Sequence, residues 1–576
     1  MSIPVTCISA EDRIGNIESH FKVAAGPGAG KTRWLINHIQ NVLHNSKRLG
    51  NTRKIACITY TNIAAETILE RLKNNDGSVE VSTFHSFLYK HVVKPFLFLI
   101  PTEYQLDINR VDGHDEMPIY KGWLFEWKKQ TGQAYISDDS KIIIALKDLA
   151  WQFDSSNNLV LKTKKTYTGR ISATVSIRNN SYIEYKKMYW SKGILDHEDI
   201  LFFSYILITQ NPKILTVLRA KFPYLFIDEF QDTNPVQTAL IKKIAEAETI
   251  TGVIGDIAQS IYGFQGADPN QFSAFSISGI QNYTIADNHR STIKITTLLN
   301  AIRSDITQDA RRNVDGNVIT VLIGDKIWAL AKATELANGE IYSLTRDNVT
   351  SNIMRDKSTF AFTHKKLIEE LREVDSNSLR MHLVSACIRA TEYARQNRYK
   401  DGLREISKEL KKIEEKVDIQ KVSLNILKSL LSSYDTYKSQ TLLIYKTVLD
   451  AIYPASISNL RTGAIKTFYE SHTYEQAAIC INIKEDSSHH RTIHKAKGAE
   501  FDNVILILDK KSKAGAFEEA EDLGFLIAPD LQNNEEHRVR YVGVSRAREN
   551  LFINVPSLST SSNTKLRSLG FTILNE

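Results

Sequence analysis

The residues best suited to chemistry form a glycine-rich segment that ends in Lys31 and Thr32. It reads Gly26-Pro27-Gly28-Ala29-Gly30-Lys31-Thr32, and an apolar run at 21–25 precedes it. A glycine-rich turn between a strand and a helix lets backbone N–H groups converge on a polyphosphate. The lysine can then neutralise the β and γ phosphates, and the hydroxyl can hold Mg²⁺. The segment therefore predicts a phosphate loop, although Ala25 stands where the general pattern has its first glycine. A chance glycine turn is the alternative, and it is disfavoured because strand, turn and helix all coincide with Lys-Thr.

A pair of carboxylates supplies the complementary chemistry. Asp228 and Glu229 directly follow the apolar run 224–227. Asp228 is predicted to coordinate the Mg²⁺ that Thr32 also binds, and Glu229 to polarise a water for attack on the γ-phosphate. A further strand at 251–256 leads to Gln259, which is predicted to sense the γ-phosphate.

Several polar and aromatic residues follow other predicted strands, and each has two interpretations. Tyr262 and Phe264 are either core residues or a platform on which bases stack. Asn62 is predicted to cap a helix after the strand 55–60. The hydroxyl-rich stretch 82–87 either caps the next helix or holds phosphates, and capping is favoured.

Composition sets the class of protein. The chain has 576 residues, 42% hydrophobic and 24% charged, so several globular subdomains are expected rather than a disordered or fibrous protein. The net charge of +7 is compatible with nucleic acid without requiring it. Four scattered cysteines without a Cys-x-x-Cys pair argue against disulfides, zinc and iron–sulfur clusters. With no signal-like start and no long apolar run, we expect a cytoplasmic protein with no membrane contact.

Two stretches interrupt the strand-helix alternation. Residues 91–190 are aromatic and basic, which fits either a helical subdomain with a solvated basic face or one wall of a nucleic-acid channel. Residues 380–485 are helical and charge-dense, as solvated helix faces usually are. Near the first stretch, 196–199 reads Asp-His-Glu-Asp; an acidic helix start is favoured over a metal site, because further ligands at useful spacing are missing.

Taken in order, these segments resemble the UvrD/Rep/PcrA-like helicases of superfamily 1, nearly from end to end. The matching segments are 25–32 (Walker A), 59–65 (motif Ia), 83–85 (motif Ib), 227–233 (Walker B), 255–267 (motif III), 288–291 (motif IV), 492–501 (motif V) and 536–548 (motif VI). Known members of that family move 3′→5′ on single-stranded DNA. The resemblance therefore implies an ATP-dependent DNA helicase or translocase that uses ATP, or another NTP, with Mg²⁺ and binds single-stranded DNA.

The resemblance also implies roles for individual residues. Arg290 and Arg546 would be the two arginine fingers that stabilise charge on the transferred phosphoryl group. The residues implied to bind nucleotide are Ala25, Gly26, Gly28, Gly30, Lys31, Thr32, Arg33, His289 and Glu500, with Glu500 on the ribose. The residues implied to bind DNA are Tyr60, Thr61, Asn62, Thr83, His85, Tyr262, Phe264 and His494.

The resemblance further implies a fold of α/β class with two RecA-like P-loop NTPase domains, each carrying a mainly helical insertion. The expected domains are 1–90 with 191–287 (motor domain 1A), 91–190 (insertion 1B), 288–380 with 486–576 (motor domain 2A) and 381–485 (insertion 2B). Strands of the second motor domain are predicted at 318–322, 360–363, 503–508 and 551–555.

Departures from the family pattern affect the base and the DNA coupling more than hydrolysis. Residues 1–25 lack the glutamine that reads adenine, and His289 replaces a stacking tyrosine, so relaxed nucleotide preference is expected. Asn16 or the backbone at 7–9 is the alternative adenine reader. Gln265 replaces an arginine, Phe264 a tryptophan, and Ile63 a lysine that contacts phosphate.

The layout also resembles the helicase-like component of Gabija-type anti-phage systems. Both insertions are compact, and the chain ends within about thirty residues of motif VI, which leaves no room for a fused nuclease domain. A separate nuclease subunit is therefore expected as a partner, in antiviral defence or DNA repair. The alternative is an NTP-switched module that clamps DNA or a nuclease without unwinding.

Overall fold

A computed structural model gives the fold. It describes residues 4–72, 77–114, 119, 121–137, 139–164, 177–178, 180–337, 339–357, 367–375, 377–411, 418–454, 460, 462–483, 488–509 and 517–576. The predicted strand 360–363 and the basic stretch 165–170 lie outside these residues. The chain divides into two compact units, Met1–Asn317 with Gly524–Arg548 and Val318–Leu523 with Glu549–Glu576.

The strands before residue 318 are β1 (Val5–Ile8), β2 (Phe21–Ala25), β3 (Ile55–Thr59), β4 (Val79–Thr83), β5 (Leu149–Phe153), β6 (Leu159–Thr163), β7 (Tyr224–Ile227), β8 (Ile250–Gly255), β9 (Gln281–Ile285), β10 (Asp287–Asn288) and β11 (Asp309–Ala310). Those after it are β12 (Thr320–Ile323), β13 (Tyr342–Thr345), β14 (His490–Thr492), β15 (Phe501–Ile507), β16 (Ala547–Val555) and β17 (Thr572–Asn575).

The α-helices before residue 318 are α1 (Lys31–Asn45), α2 (Asn62–Arg71), α3 (Phe84–Leu88), α4 (Lys121–Gln130), α5 (Asp139–Lys147), α6 (Asn180–Trp190), α7 (His197–Gln210), α8 (Lys213–Lys221), α9 (Pro235–Ala245), α10 (Asn270–Ser273) and α11 (Ile293–Ile302). Those after it are α12 (Lys326–Ala337), α13 (Asn348–Asp356), α14 (Leu367–Val374), α15 (Ser378–Arg395), α16 (Tyr399–Leu410), α17 (Ile419–Ser432), α18 (Tyr434–Tyr437), α19 (Leu442–Ile452), α20 (Ala464–Ser471), α21 (Tyr474–Ile479), α22 (Ile493–Ala496), α23 (Glu519–Asp522), α24 (Gly524–Ile527), α25 (Glu535–Val544) and α26 (Thr560–Ser568). Short 3-10 helices at Phe230–Asp232, Ile257–Gln259 and Gly263–Gln265 carry several of the predicted site residues.

The first unit is built on a seven-stranded sheet in the order β1-β9-β2-β8-β7-β3-β4, and all of its strand pairs are parallel. Strands β2, β3 and β7 are short apolar runs, as expected for a parallel sheet that is covered by helices on both faces. Because the carboxyl ends of parallel strands share one edge, the loops after β2, β3, β4, β7 and β8 all leave from that edge.

The second unit holds a six-stranded sheet in the order β14-β13-β15-β16-β12-β17, with β13 parallel to β14 and β15, and β12 parallel to β16 and β17. Both sheets confirm the predicted α/β class. Three of the four predicted strands are present, with bounds shifted by a few residues to β12, β15 and β16. Segments 288–317 and 524–548, expected in the second motor domain, lie in the first unit, and the domain bounds stay a prediction.

The first insertion contains an antiparallel hairpin, β5 with β6, besides its helices. Its aromatic residues are divided: Trp127 is buried and its indole N–H donates to the Ser181 carbonyl at 2.7 Å, whereas Phe125 and Tyr135 are exposed. The Lys128 ammonium donates to the Ile136 carbonyl and to the Asp139 carboxylate, so this basic residue stabilises the local fold.

The described residues of 381–485 are mainly helical, and they share one hydrophobic core with Val349, Ile353 and Leu367. Helix α16 shows the expected two-faced pattern, because Ile406 and Leu410 are buried while Arg404 and Lys408 are exposed. Glu409 lies on the buried face, so the charge run is solvated on one side only.

Candidate nucleotide and DNA site

The phosphate loop has the predicted position between β2 and α1. Gly28 and Gly30 have φ of 71° and 79°, the left-handed region that glycine adopts without cost. A Cβ at Gly28 would also lie 2.7 Å from the Asn288 Oδ1 atom, so glycine is required there on two grounds. The Lys31 ammonium donates to the carbonyls of Ala25 and Gly26, both at 3.4 Å. Ala25 itself is fully buried at the end of β2.

The loop is supported from its far side by residues around β10 and β11. The Gln308 amide donates to the Pro27 carbonyl at 2.9 Å, and the His289 N–H donates to the Gly28 carbonyl at 2.9 Å. A Cβ at Gly26 would clash with the Gln308 side chain at 2.4 Å. Sequence reasoning missed Gln308, since it lies seventeen positions past Ser291, outside the matched motifs.

The two carboxylates lie at the end of β7, as predicted. The Asp228 N–H donates to the Ile58 carbonyl of β3 at 2.8 Å, which fixes this turn to the neighbouring strand. Glu229 has φ of 52°, an uncommon left-handed conformation for a residue other than glycine. The Gln231 amide donates to the Glu229 carboxylate, and its oxygen accepts from the Asp256 N–H at 2.9 Å. Gln231 therefore links the Asp228–Glu229 turn to the loop after β8, a role that sequence reasoning missed.

The structure brings Gln259 and the two arginines together within the first unit. The Gln259 amide donates to the Asp256 carboxylate at 2.6 Å, and Arg546 donates to the Gln259 oxygen at 3.2 Å. Arg546 is only 2% exposed and donates also to the Val542 carbonyl at 3.1 Å. Arg290 donates to the Ser545 carbonyl at 2.9 Å. Two guanidinium groups and an amide thus meet beside the carboxylate turn.

Helix α25 holds the segment that follows β8 at successive turns. The Glu535 carboxylate accepts from the Gly263 N–H at 2.9 Å, and Arg538 donates to the Ser260 carbonyl at 2.7 Å. Burial lowers the pKa of Arg538. Helix α25 therefore contacts the loop after β8 both next to Gln259, at Ser260, and next to Tyr262 and Phe264, at Gly263.

Residues expected near the base are placed around the start of α1. Arg33 forms an ion pair with Glu11 at 2.8 Å, and His289 lies 3.6 Å from the Asp287 carboxylate. Asn16, the alternative adenine reader, bonds to Ser19 at 2.7 Å within a turn.

The helix caps after β3 and β4 correct one expectation and confirm another. Thr61, not Asn62, caps α2, and its hydroxyl accepts from the Ala64 N–H at 3.2 Å. Asn62 is instead the first helical residue, because the β-region dihedrals that a cap needs fall one position earlier. Thr83 caps α3 by accepting from the Ser86 N–H at 3.4 Å, as favoured from the sequence.

Three aromatic residues of the first unit lie side by side, with Tyr60 and Tyr262 half-buried and Phe264 exposed. The rings of Tyr60 and Tyr262 stack at 4.8 Å and 18°, and Phe264 is 42% exposed beside them. The Tyr60 hydroxyl donates to the Gln265 amide oxygen. Burial and nearby carboxylates raise the pKa of Tyr262. Ile63, where the family pattern has a lysine, is 66% exposed.

His85 lies among two further histidines. Its ring centroid is 4.9 Å from that of His197, whose Nδ1 atom is 2.9 Å from the His114 Nδ1 atom. Burial, followed by His197 and His114, lowers the pKa of His85 to about 3, so it is neutral at pH 7. The adjacent acidic stretch is a helix start, as favoured: Asp196 and Asp199 form a capping box on α7. Among the described residues, no group of three or more His, Cys, Asp or Glu side chains is placed to hold a metal ion.

The second unit carries His494 and Glu500. His494 lies in the short helix α22, whose cap is Thr492, and Glu500 is exposed just before β15. Lys495 donates to the Asn348 side chain at 2.7 Å, so the loops after β13 and β14 are joined. Asn348 was missed because the segment after β13 was not matched to a motif.

A parallel α/β sheet with a phosphate loop after its central strand β2 and carboxylates after β7 defines a P-loop nucleotide-binding protein. The family model "UvrD/REP helicase N-terminal domain" matches residues 9–278. A probable DNA helicase II homolog of Rickettsia conorii (strain ATCC VR-613 / Malish 7) is 24% identical over 612 residues, covering 93% of this chain and 90% of that protein. The ATP-dependent DNA helicase PcrA of Staphylococcus aureus (strain MRSA252) is 25% identical over 635 residues, covering 94% and 82%. These matches support a UvrD/Rep/PcrA-like helicase of superfamily 1A.

Within the described ranges, no single helix is long and apolar enough to cross a bilayer. One pair of helices, His197–Gln210 and Lys213–Lys221, reaches that length and composition only when taken together, and the pair is bent by 108°.

Proposed function

We propose that the protein is an ATP-dependent DNA helicase or translocase that moves on single-stranded DNA in the 3′→5′ direction. One observation carries the proposal: the loops at one edge of the seven-stranded sheet carry Lys31, Thr32, Asp228, Glu229 and Gln259 together with the aromatic residues Tyr60, Tyr262 and Phe264. The named activities of the relatives, DNA helicase II and ATP-dependent DNA helicase PcrA, support it.

The proposed hydrolysis site uses the residues already located. Lys31 and the N–H groups of the phosphate loop bind the β and γ phosphates, and Glu229 orients the attacking water. Arg290 and Arg546 stabilise the charge that develops on the transferred phosphoryl group. Gln259, bonded to Arg546, is placed to report whether the γ-phosphate is present.

Mg²⁺ fits the donor chemistry of two residues. A threonine hydroxyl at the start of α1 and a carboxylate after β7, from Thr32 and Asp228, are hard oxygen ligands of the kind Mg²⁺ prefers beside substrate phosphates. Bound there, the ion would neutralise charge on the phosphates.

We propose that DNA crosses the sheet edge of the first unit, with bases stacking on Tyr60, Tyr262 and Phe264. Aromatic stacking tolerates any base, which suits a motor without sequence preference. Thr61, Thr83, His85 and Asn62 would lie along this track. His494, in the second unit, is also proposed to bind DNA. Neutral His85 can donate a hydrogen bond to a phosphate but adds no charge at pH 7.

The finer assignments rest on resemblance. We propose that the sheets belong to motor domains 1A (1–90, 191–287) and 2A (288–380, 486–576), with 91–190 and 381–485 as insertions 1B and 2B. We also propose a cytoplasmic role in anti-phage defence with a separate nuclease subunit, supported by the compact insertions. Co-purification of a nuclease with the tagged full chain from its native host tests the partner.

A second candidate function is an NTP-switched module that binds DNA or a nuclease without unwinding. The Tyr60–Gln265 hydrogen bond favours it, because Gln265 stands where the family has an arginine and ties the platform to the loop after β8. The two functions share hydrolysis but differ in strand displacement.

The first test is hydrolysis by the purified full chain with and without single-stranded DNA. We expect DNA to stimulate ATP hydrolysis at least tenfold and Lys31→Ala to abolish it. Lys22→Ala is a matched control, since Lys22 lies on β2 and bonds to the Ser273 carbonyl instead. Equal rates with and without DNA would count against a DNA motor.

A further inference from the structure

Arg303, directly after α11, is a fully buried cation that no motif includes. Its side chain is 0% exposed and donates to Asp256 at 3.1 and 3.4 Å, to Asp305 at 2.9 Å and to the Tyr541 hydroxyl at 3.2 Å. Burial alone would lower the pKa of Arg303, but Asp256, Tyr541 and Asp305 raise it well above its ordinary value. The guanidinium is therefore a fixed charge inside the first unit.

Asp256 connects Arg303 to the proposed hydrolysis site through hydrogen bonds. The same carboxylate accepts from Arg303, from the Gln259 amide at 2.6 Å and from the Ala258 N–H at 3.2 Å. Its own N–H donates to Gln231, which bonds Glu229. Asp256 thus contacts both the sensor side chain and the carboxylate turn.

The charge of Asp256 fixes which end of the Gln259 amide faces Arg546. An ionised carboxylate only accepts, so it binds the Gln259 NH₂ group and leaves the amide oxygen for the Arg546 guanidinium. An amide that rotated by 180° would place two donors against each other at Arg546. Arg303 contacts both oxygens of the Asp256 carboxylate, Oδ1 at 3.1 Å and Oδ2 at 3.4 Å, so it fixes the direction in which that carboxylate accepts from Gln259.

We propose that Arg303 is a positioning residue for nucleotide hydrolysis: by holding Asp256 as an acceptor, it orients Gln259 toward Arg546. The inference rests on the proposed hydrolysis activity. Arg303 touches no proposed phosphate, water or base position itself, so it acts through Asp256 and Gln259. Its loss should slow the chemical step more than it weakens nucleotide binding.

The test compares steady-state ATP hydrolysis, under saturating single-stranded DNA, for the wild type and variants of the full chain. We expect Arg303→Met to lower kcat at least tenfold while KM for ATP changes less than threefold. Asp305→Asn is the matched control, because it removes a partner of Arg303 that does not contact Gln259, and its kcat should stay within twofold of the wild type.

A double-mutant cycle with Gln259→Ala separates positioning from general support of the fold. If Arg303 acts through Gln259, Arg303→Met should slow hydrolysis less than twofold in the Gln259→Ala background. A purely structural role would lower kcat equally in both backgrounds, and that result would overturn the inference.

Thermal unfolding monitors the fold throughout. If Arg303→Met does not fold, Arg303→Lys is measured instead. Lysine keeps the charge but cannot make the bidentate contact with Asp256, so a two- to fivefold loss of kcat at unchanged KM supports the inference. Wild-type kcat in Arg303→Lys, or in a folded Arg303→Met, overturns it. A wild type without hydrolysis overturns the proposed function as well, which distinguishes the two failures.

Discussion

The two parallel sheets differ in the chemistry at their carboxyl ends. The seven-stranded sheet is followed by a glycine-rich loop after β2, two carboxylates after β7 and the Asp256–Gln259 pair after β8. In the six-stranded sheet, the loops after β13 and β14 instead present Arg346, Asn348, His494 and Lys495. The proposed phosphate chemistry therefore belongs to one of two similar sheets, while the loops of the other carry cationic and amide side chains.

Buried charge differs in the same way. In the first unit, Arg303, Asp256, Gln259 and Arg546 form a connected polar chain beside the carboxylate turn. In the second unit, the buried carboxylate of Asp375 accepts from Arg380 at 2.6 Å and from Tyr469 at 3.0 Å, where α14, α15 and α20 pack together. The first network is placed to serve a site, and the second stabilises a core.

The largest expected effect separates the two sheets by their carboxylates. Glu229→Gln should lower DNA-stimulated kcat by about 10³, since a residue that orients or activates water contributes roughly 10²–10⁴. Asp509→Asn, after β15 of the second sheet, removes a carboxylate paired with Lys326 and should change kcat less than twofold. Equal losses in both variants would show that the comparison is wrong.

Acid stability should also distinguish the first unit. His38 in α1 is 3% exposed, neither ring nitrogen has a hydrogen-bond partner among the described residues, and burial lowers its pKa to about 4. As the pH falls below about 6.5, His38 takes up a proton in the unfolded state but not in the folded state. The free energy of unfolding is therefore unaffected by His38 above that pH and decreases toward pH 4, by up to about 3 kcal/mol.

His38→Phe should reduce the decrease in the free energy of unfolding between pH 7 and pH 5. Urea denaturation at pH 7 and pH 5 measures it. His44→Gln, at an exposed position of the same helix, is the control and should keep the wild-type slope. A profile for His38→Phe that matches the wild type would contradict the assignment.

The aromatic stacks of the two units sharpen the comparison further. Tyr262→Ala should weaken single-stranded DNA binding by about 5- to 150-fold, equivalent to 1–3 kcal/mol per stacked base, and leave DNA-independent hydrolysis unchanged. In the second unit, Tyr342 stacks on buried Phe501 at 4.1 Å with Arg491 over both rings, which makes it a core contact. Tyr342→Leu should therefore lower the melting temperature with DNA affinity kept; fluorescence anisotropy on labelled DNA compares the two.

Nucleotide preference carries the smallest expected effect. The glutamine that reads adenine is missing, and Arg33 and His289 offer stacking, which accepts any base. We expect kcat/KM for ATP, dATP and GTP to agree within about tenfold, roughly 1.4 kcal/mol. A preference for ATP over GTP beyond a hundredfold would show that other residues, such as Asn16, read the adenine edge.

Sequence patterns predicted the first sheet better than its connections. The phosphate loop and the Asp228–Glu229 turn depend on local dihedrals and strand order, which the apolar runs and glycines encode directly. The Asn62 cap was wrong by one residue, because the end of β3 is set by pairing with β4 and β7 rather than by local propensity. Gln308 and Arg303 were missed, since their partners are distant in sequence and only folding brings them together.

The central claim is that hydrolysis drives movement along DNA, and strand displacement tests it most directly. The full chain is mixed with ATP and Mg²⁺ on duplexes that carry a 3′ or a 5′ single-stranded tail, with Glu229→Gln in parallel. If hydrolysis drives movement along DNA, the annealed strand should be displaced from the 3′-tailed duplex at least tenfold faster than from the 5′-tailed one. Glu229→Gln should displace no strand. If ATP changes only the affinity for either duplex and no strand is displaced, the protein is a nucleotide-dependent switch and the motor account is contradicted.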